Sequence, residues 1–372
     1  MAELSESLRA AREDAGMSLA ALAARTHYSK ALLGHLETGK RAVKREHVIA
    51  YSRALGVPVG SFYGPPKDPI RLAHEWLLRD TPGVVHRRAG RRVGATYVSE
   101  LEQRVVELRH LDDTVGGNDL WPLVQRELAD AEETAEEASY SEETGRRLLV
   151  AVGELAQLAG WVASDAGRYG EAQHVYLSGV EAAETAGDRV LAGQLLSSLS
   201  YQMANVGDPA DAALLARSAV KGANGEASPV ARALLLERVA WAEARARNSD
   251  AARRALDAVD DAYEDRSEGI EEPEWTYWLD RKEIDVMAGR VLIELGAPAK
   301  AAPLLSRAIS EYEADHVREV ALYQTWLAEA FVNSGELDAA REVVRKAHRA
   351  TEKVNSARLE RRVGAVERLL QA

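Results

Sequence analysis

Residues 18–39 read SLAALAARTHYSKALLGHLETG. Two short apolar stripes, Leu19-Leu22-Ala23 and Leu32-Leu33-Leu36, flank Thr26-His27-Tyr28. That spacing predicts two short helices joined by a tight turn, with Ser18 and Ser29 as N-caps and Gly39 closing the second. Such a pair is the physical unit that presents a helix to the major groove of DNA. The pattern continues outward on both sides. Leu4, Leu8 and Ala11 form the stripe of an earlier helix that ends at Gly16, and residues 44–55 carry Val48, Ile49, Tyr51 and Leu55 up to the stop at Gly56-Val57-Pro58.

Charge separates this head from the rest. Residues 1–92 hold 16 Lys/Arg against 9 Asp/Glu, while the whole chain carries a formal charge of −12. A basic head on an acidic body points to a head that meets a polyanion and a body that repels one.

The head resembles the phage-repressor type of helix-turn-helix, the XRE family. The match rests on Leu22-Ala23, on Ser29 through Leu36-Glu37-Thr38-Gly39-Lys40-Arg41, and on Leu55-Gly56-Val57-Pro58. His27 stands where many members have a turn glycine, Leu19 where many have glutamine, and Gly34 where serine is common. The resemblance implies a five-helix head whose third helix enters the major groove. Its candidate DNA-facing residues are Ser18, Ser29, Lys30, Ala31, Gly34, His35, Lys40, Arg41, Lys44 and Arg45. Lys30 and His35 could donate to bases, and the Lys40–Arg45 cluster suits phosphates. The alternative for each is an ordinary solvated side chain.

Beyond Pro65-Pro66-Lys67-Asp68-Pro69, which reads as a stiff linker, apolar residues recur only at helical spacing. A five-residue step links Gly167 to Ala172, Gly207 to Ala212, Gly296 to Ala301 and Gly335 to Ala340, with a degenerate copy from Arg247 to Ala252. Seven residues before each start stands Gly160, Ser200, Ala240, Gly289 or Ala328; twelve after it stands Gly179, Ala219, Val259, Ala308 or Ala347. Small residues in register on both helices of a pair allow close approach. This resembles the tetratricopeptide repeat, a helix–turn–helix unit that stacks into a solenoid. Ser99-Glu100-Leu101-Glu102 fits a capping box, predicting a helix over about 99–112, and another is expected over about 119–138. The whole order resembles the long XRE-type regulators of streptomycete-like actinobacteria.

The fold class expected is therefore all-α: a helix-turn-helix domain over 1–64, a linker and connecting helix over 65–98, and a tetratricopeptide-like repeat domain over 99–372. In that repeat pattern the position six before the turn faces the groove. Here it reads Trp161, Tyr201, Trp241, Arg290 and Glu329. Two before the turn stand Asp165, Asn205, Arg245, Glu294 and Asn333; ten before it stand Gln157, Ser197, Glu237, Val286 and Thr325. Aromatic walls over a polar floor suit a small molecule or short peptide. Of these rows the candidate ligand-binding set is Gln157, Trp161, Asp165, Ser197, Tyr201, Asn205, Glu237, Trp241, Arg245, Arg290, Glu294 and Asn333. The alternative is that the aromatics pack on neighbouring helices and the polar row is solvated. Trp275, Tyr277 and Trp278 are expected to pack under the longer loop before the fourth pair.

There is no cysteine, which removes disulfides, thiol catalysis and thiolate zinc sites. No Gly-rich phosphate loop, His-Glu-x-x-His or nucleophile elbow occurs. The expectation is a non-enzymatic, cytoplasmic regulator with neither metal nor cofactor and no membrane. It would bind double-stranded DNA at a palindromic operator as a homodimer, paired through a helix over about 336–353, with a ligand that tunes it. The rival reading is a DNA-tethered scaffold whose solenoid docks a protein.

Overall fold

The computed structural model describes residues 2–41, 43, 45–57, 62, 68–79, 90, 92–223, 225–312, 316–352 and 356–371. Over these residues the chain is all-α. Helices α1 (Ala2–Asp14), α2 (Leu19–Thr26), α3 (Lys30–Glu37) and α4 (Arg45–Leu55) enclose a core of Leu8, Leu22, Leu33, Leu36, Val48, Tyr51 and Phe62. The expected punctuation is in place. Ser18 accepts from the Ala21 N–H and Ser29 from the Leu32 N–H, both at 3.1 Å. His27 takes the left-handed turn with φ 60°, a region where histidine is tolerated better than most residues.

The fifth helix, α5 (Pro69–Leu78), starts on Asp68, whose carboxylate caps the Ile70 N–H at 3.0 Å. It packs on the body, chiefly on α11. Trp76 is fully buried there, with its indole so close to Gly222 that any side chain at that position would collide with the ring. Arg189 stacks over the same indole and donates to the Gly222 carbonyl.

The body is a double layer of helices. Its inner layer is α6 (Ala95–Asp112), α8 (Glu142–Asp165), α10 (Arg189–Val206), α12 (Pro229–Arg245), α14 (Arg281–Glu294), α16 (Val317–Asn333) and α18 (Ala357–Gln371). Its outer layer is α7 (Gly117–Glu137), α9 (Tyr169–Ala186), α11 (Pro209–Ala223), α13 (Ser249–Glu264), α15 (Pro298–Ser310) and α17 (Leu337–Thr351). All five expected turns fall between the two helices of a pair. Gly167, Gly296 and Gly335 have positive φ, and so does Arg247 at 62°. The in-register small residues sit where backbones approach closely. A Cβ on Gly160 would lie 2.4 Å from Tyr176, and one on Gly179 would lie 2.7 Å from both Ala156 and Leu195.

Two local expectations are corrected. The helix expected from about 99 starts at Ala95, because Val98 is fully buried and Tyr97 packs on the core, so burial extends the helix beyond a capping box. Ser99 and Glu102 instead receive Arg147 of α8. The helix over about 336–353, expected as a free terminal helix for pairing, is α17, and it is followed by α18, which packs on both α16 and α17.

Candidate functional site

The inner layer closes on itself. From α16, Arg318 reaches Asp112 of α6 at 3.5 Å and the Val115 carbonyl at 3.1 Å. Arg109 of α6 pairs with Glu274 in the short 3-10 turn Glu274–Thr276, and Tyr277 donates to Asp113 at 2.7 Å. At the head of α18, Ser356 donates to Asp165 of α8, and Arg358 donates to the Tyr201 hydroxyl at 2.6 Å. The ring of helices lines a partly open cavity of about 380 Å³, with a second of about 200 Å³ that shares Tyr201, Arg290, Trp326 and Arg358. The larger volume lies in the range of small-molecule sites.

Aromatic rings and guanidinium groups alternate across the walls. Trp161 stacks on Tyr201 with centroids 5.9 Å apart. Arg358 lies over both rings, and Arg238 lies 4.4 Å from the Tyr201 centroid. Arg290, in the fourth place of the row that begins Trp161, Tyr201, Trp241, lies 4.2 Å from the Trp241 ring and 3.9 Å from Trp326. Burial pushes the Tyr201 phenol up, but the charges of Arg290, Arg358 and Arg238 outweigh it and hold the phenol below its ordinary range. Carboxylates line the larger cavity as well. Burial raises Asp112 to about 6 against the pull of Arg318, and raises Glu283 to about 7 although Tyr312 and Tyr323 both donate to it.

In the head, α3 turns one side to solvent. Ser18, Ser29, Lys30, Ala31, His35, Lys40 and Arg41 are exposed, and Gly34 is half-buried beside Leu19. Lys44 and the side chain of Arg45 lie outside the described residues. Behind that surface, Glu37 is buried and accepts two 2.7 Å bonds from Arg12 and one of 3.0 Å from Tyr51, tying α1, α3 and α4 together. The glutamate of the Leu-Glu-x-Gly ending is therefore a brace that aims α3.

The family model described as a helix-turn-helix domain matches residues 3–60. Residues 3–60 form a helix-turn-helix domain. A domain of this kind implies a DNA-binding regulator. No curated protein matches the chain. Among solved structures it is similar to that of a PrgX mutant, with 11% sequence identity, a TM-score of 0.29, and coverage of 95% of this chain and 96% of that one.

Downstream of the helix-turn-helix domain, the structure sorts the expected ligand residues. Gln157, Trp161, Asp165, Tyr201 and Arg290 line the larger cavity, and Asn205, Trp241, Arg245 and Glu294 line the smaller, which Tyr201 and Arg290 also line. Three expected residues line neither. Ser197 is fully buried and spends its hydroxyl on the carbonyl and side chain of Gln194. Glu237 is buried against Arg238. Asn333 is exposed at the last residue of α16. Asn205 lines its cavity but turns its amide N–H back to the Tyr201 carbonyl. Trp275 packs in the core as expected, yet it also joins Tyr277 and Trp278 on the cavity wall. Sequence reading missed Arg358, Arg361 and Arg362. Their spacing places one basic face on α18, the signal that could have revealed them. Arg362 reaches Glu329, and Arg361 stacks on Tyr169.

One helix among the described residues, α8, is long and apolar enough to cross a membrane, and 67% of its apolar window is buried inside the protein.

Proposed function

We propose that the chain is a cytoplasmic transcriptional regulator of the XRE type. Residues 1–64 would read a palindromic operator as a homodimer, with Lys30 and His35 on bases and Lys40, Arg41, Lys44 and Arg45 on phosphates. Residues 65–98 connect, and residues 99–372, a tetratricopeptide-like array, dimerise and hold a small molecule or short peptide that modulates operator binding. The observation that carries the ligand half is the concave cavity of about 380 Å³, bordered by helices that contacts between residues far apart in sequence bring together. A closed ring with an aromatic and charged interior suits a small ligand better than a docked protein.

The test has two arms. The full-length protein is used to enrich fragments of its own genome, and the affinity for an enriched fragment is measured with and without fractions of cell extract. A coupling of ~1–3 kcal/mol would change affinity about 5–150-fold. Enrichment of no fragment overturns the DNA-binding reading. Enrichment without any extract-dependent shift overturns ligand control and leaves a DNA-tethered scaffold.

A further inference from the structure

Arg290 is buried, and among the described residues no carboxylate or carbonyl partners its guanidinium. Its carbon lies between the rings of Trp326, Trp241 and Tyr201, at 3.9, 4.2 and 5.3 Å from their centroids. It lines both cavities, so it stands where they meet. Its Nε and the neighbouring Trp241 Nε1 are buried donors without acceptors. A buried charge is costly unless it is paired, and stacking on rings replaces only part of what hydration supplied. Burial accordingly pulls the Arg290 guanidinium below its ordinary value.

The carboxylates nearby are already engaged. Arg318 holds Asp112 and Glu319. Ser356 and the Gly117 N–H hold Asp165. Two tyrosines hold Glu283, Arg245 holds Glu294, and Arg362 holds Glu329. Around the Tyr201 ring, three guanidinium carbons lie 4.4, 5.3 and 5.5 Å from the centroid, and the carboxylate of Glu237 is bound to Arg238. Around Tyr201 and Arg290 the guanidinium groups therefore gather beside unused donors and flat aromatic rings, while the carboxylates of the larger cavity are held by other partners.

The geometry points to a small ligand that carries an acidic group on a flat unsaturated ring, with the acid on Arg290 and Arg358, where the two cavities meet, and the ring in the larger cavity against Trp161 and Tyr201. A planar guanidinium offers two parallel N–H donors to a carboxylate or phosphate, which an ammonium cannot. The indole N–H of Trp241 supplies a further donor. This deepens the reading of the cavity as a ligand site and rests on it. It names the class of ligand: an aromatic or conjugated acid, excluding a neutral or purely cationic one.

The test uses the full-length protein and two dyes of the same shape: anilinonaphthalene sulfonate, an aromatic anion, and phenylnaphthylamine, its neutral counterpart. The anion is expected to bind saturably at one site and to raise the thermal midpoint. Arg290→Met is expected to weaken the anion by about tenfold or more and leave the neutral dye unchanged, while Arg290→Lys falls between. Equal binding of the two dyes by wild type, or undiminished anion binding by Arg290→Met, overturns the proposal and makes Arg290 a stacking residue only. If circular dichroism shows Arg290→Met unfolded, Arg358→Met carries the same comparison: a selective loss of the anion supports the proposal and unchanged anion binding overturns it. The titration contains no DNA, so its failure and the failure of operator control are read separately.

Discussion

The Ser356 hydroxyl donates to both carboxylate oxygens of Asp165, 191 residues earlier, at 3.1 and 3.2 Å. The same carboxylate accepts from the Gly117 N–H at 3.3 Å. One buried side chain thus joins the start of the array to its last helix, and the ring closes around the cavity there. Removing the donor leaves a buried carboxylate short of a partner. Ser356→Ala is expected to cost ~1–3 kcal/mol, read as a lower urea midpoint of the full-length protein. An unchanged midpoint would show that the ring is held elsewhere.

The brace behind the recognition surface makes a separate demand. Arg12 and Glu37 are both largely shielded, with side chains 11% and 3% exposed. Glu37→Ala leaves the guanidinium and the Tyr51 hydroxyl without their acceptor. The expected loss is about 3–5 kcal/mol of head stability. In calorimetry the helix-turn-helix transition should fall while that of the repeat domain stays in place.

Glu283 supplies a pH dependence with a defined sign. Its folded value, about 7, stands above the ordinary 4.5, because burial disfavours the charged form more than Tyr312 and Tyr323 favour it. Its contribution to stability is therefore complete below about 4.5 and is lost as pH rises through about 7. Glu283→Gln should be more stable than wild type at pH 8, by ~1–3 kcal/mol, with the gap closing toward pH 4. Chemical denaturation at those two pH values checks it, and a pH-independent gap counts against it.

The connecting helix depends on one glycine. A Cβ on Gly222 would lie 1.9 Å from the Trp76 ring, so Gly222→Ala forces α5 off α11. The expected cost is about 1–3 kcal/mol. Trp76 emission should shift to the red as the indole meets water, and an unshifted spectrum would mean that α11 yields instead.

On DNA, Lys30 and Arg41 should behave differently. Lys30→Ala is expected to cost ~1–3 kcal/mol per half-site and to relax preference at one base position. Arg41→Ala should weaken all sequences alike and reduce the salt slope by about 1. Binding measured on a set of single-base operator variants at two salt concentrations separates them. An unchanged sequence preference in Lys30→Ala would remove Lys30 from the base-reading set.

Local signals in the sequence determined the elements. The caps at Ser18 and Ser29, the left-handed turns at His27, Gly39, Gly167, Gly296 and Gly335, and the small residues in register at Gly160, Gly179 and Gly289 each act within a few residues or one helix pair, so their spacing is legible in a single chain. The aromatic row Trp161, Tyr201, Trp241 was legible for the same reason: it recurs with the repeat. Tertiary structure alone decided how the array ends meet. Ser356 with Asp165, Arg358 with Tyr201 and Arg318 with Asp112 are pairs 191, 157 and 206 residues apart with no period to announce them. Tertiary burial also overrode the capping box at Ser99, turned Ser197 and Glu237 into the core, and left Arg290 among three rings with no ion-pair partner among the described residues. A charge's partner, or its lack of one, depends on what folding brings within a few ångströms, and the order of residues along a chain does not encode that distance.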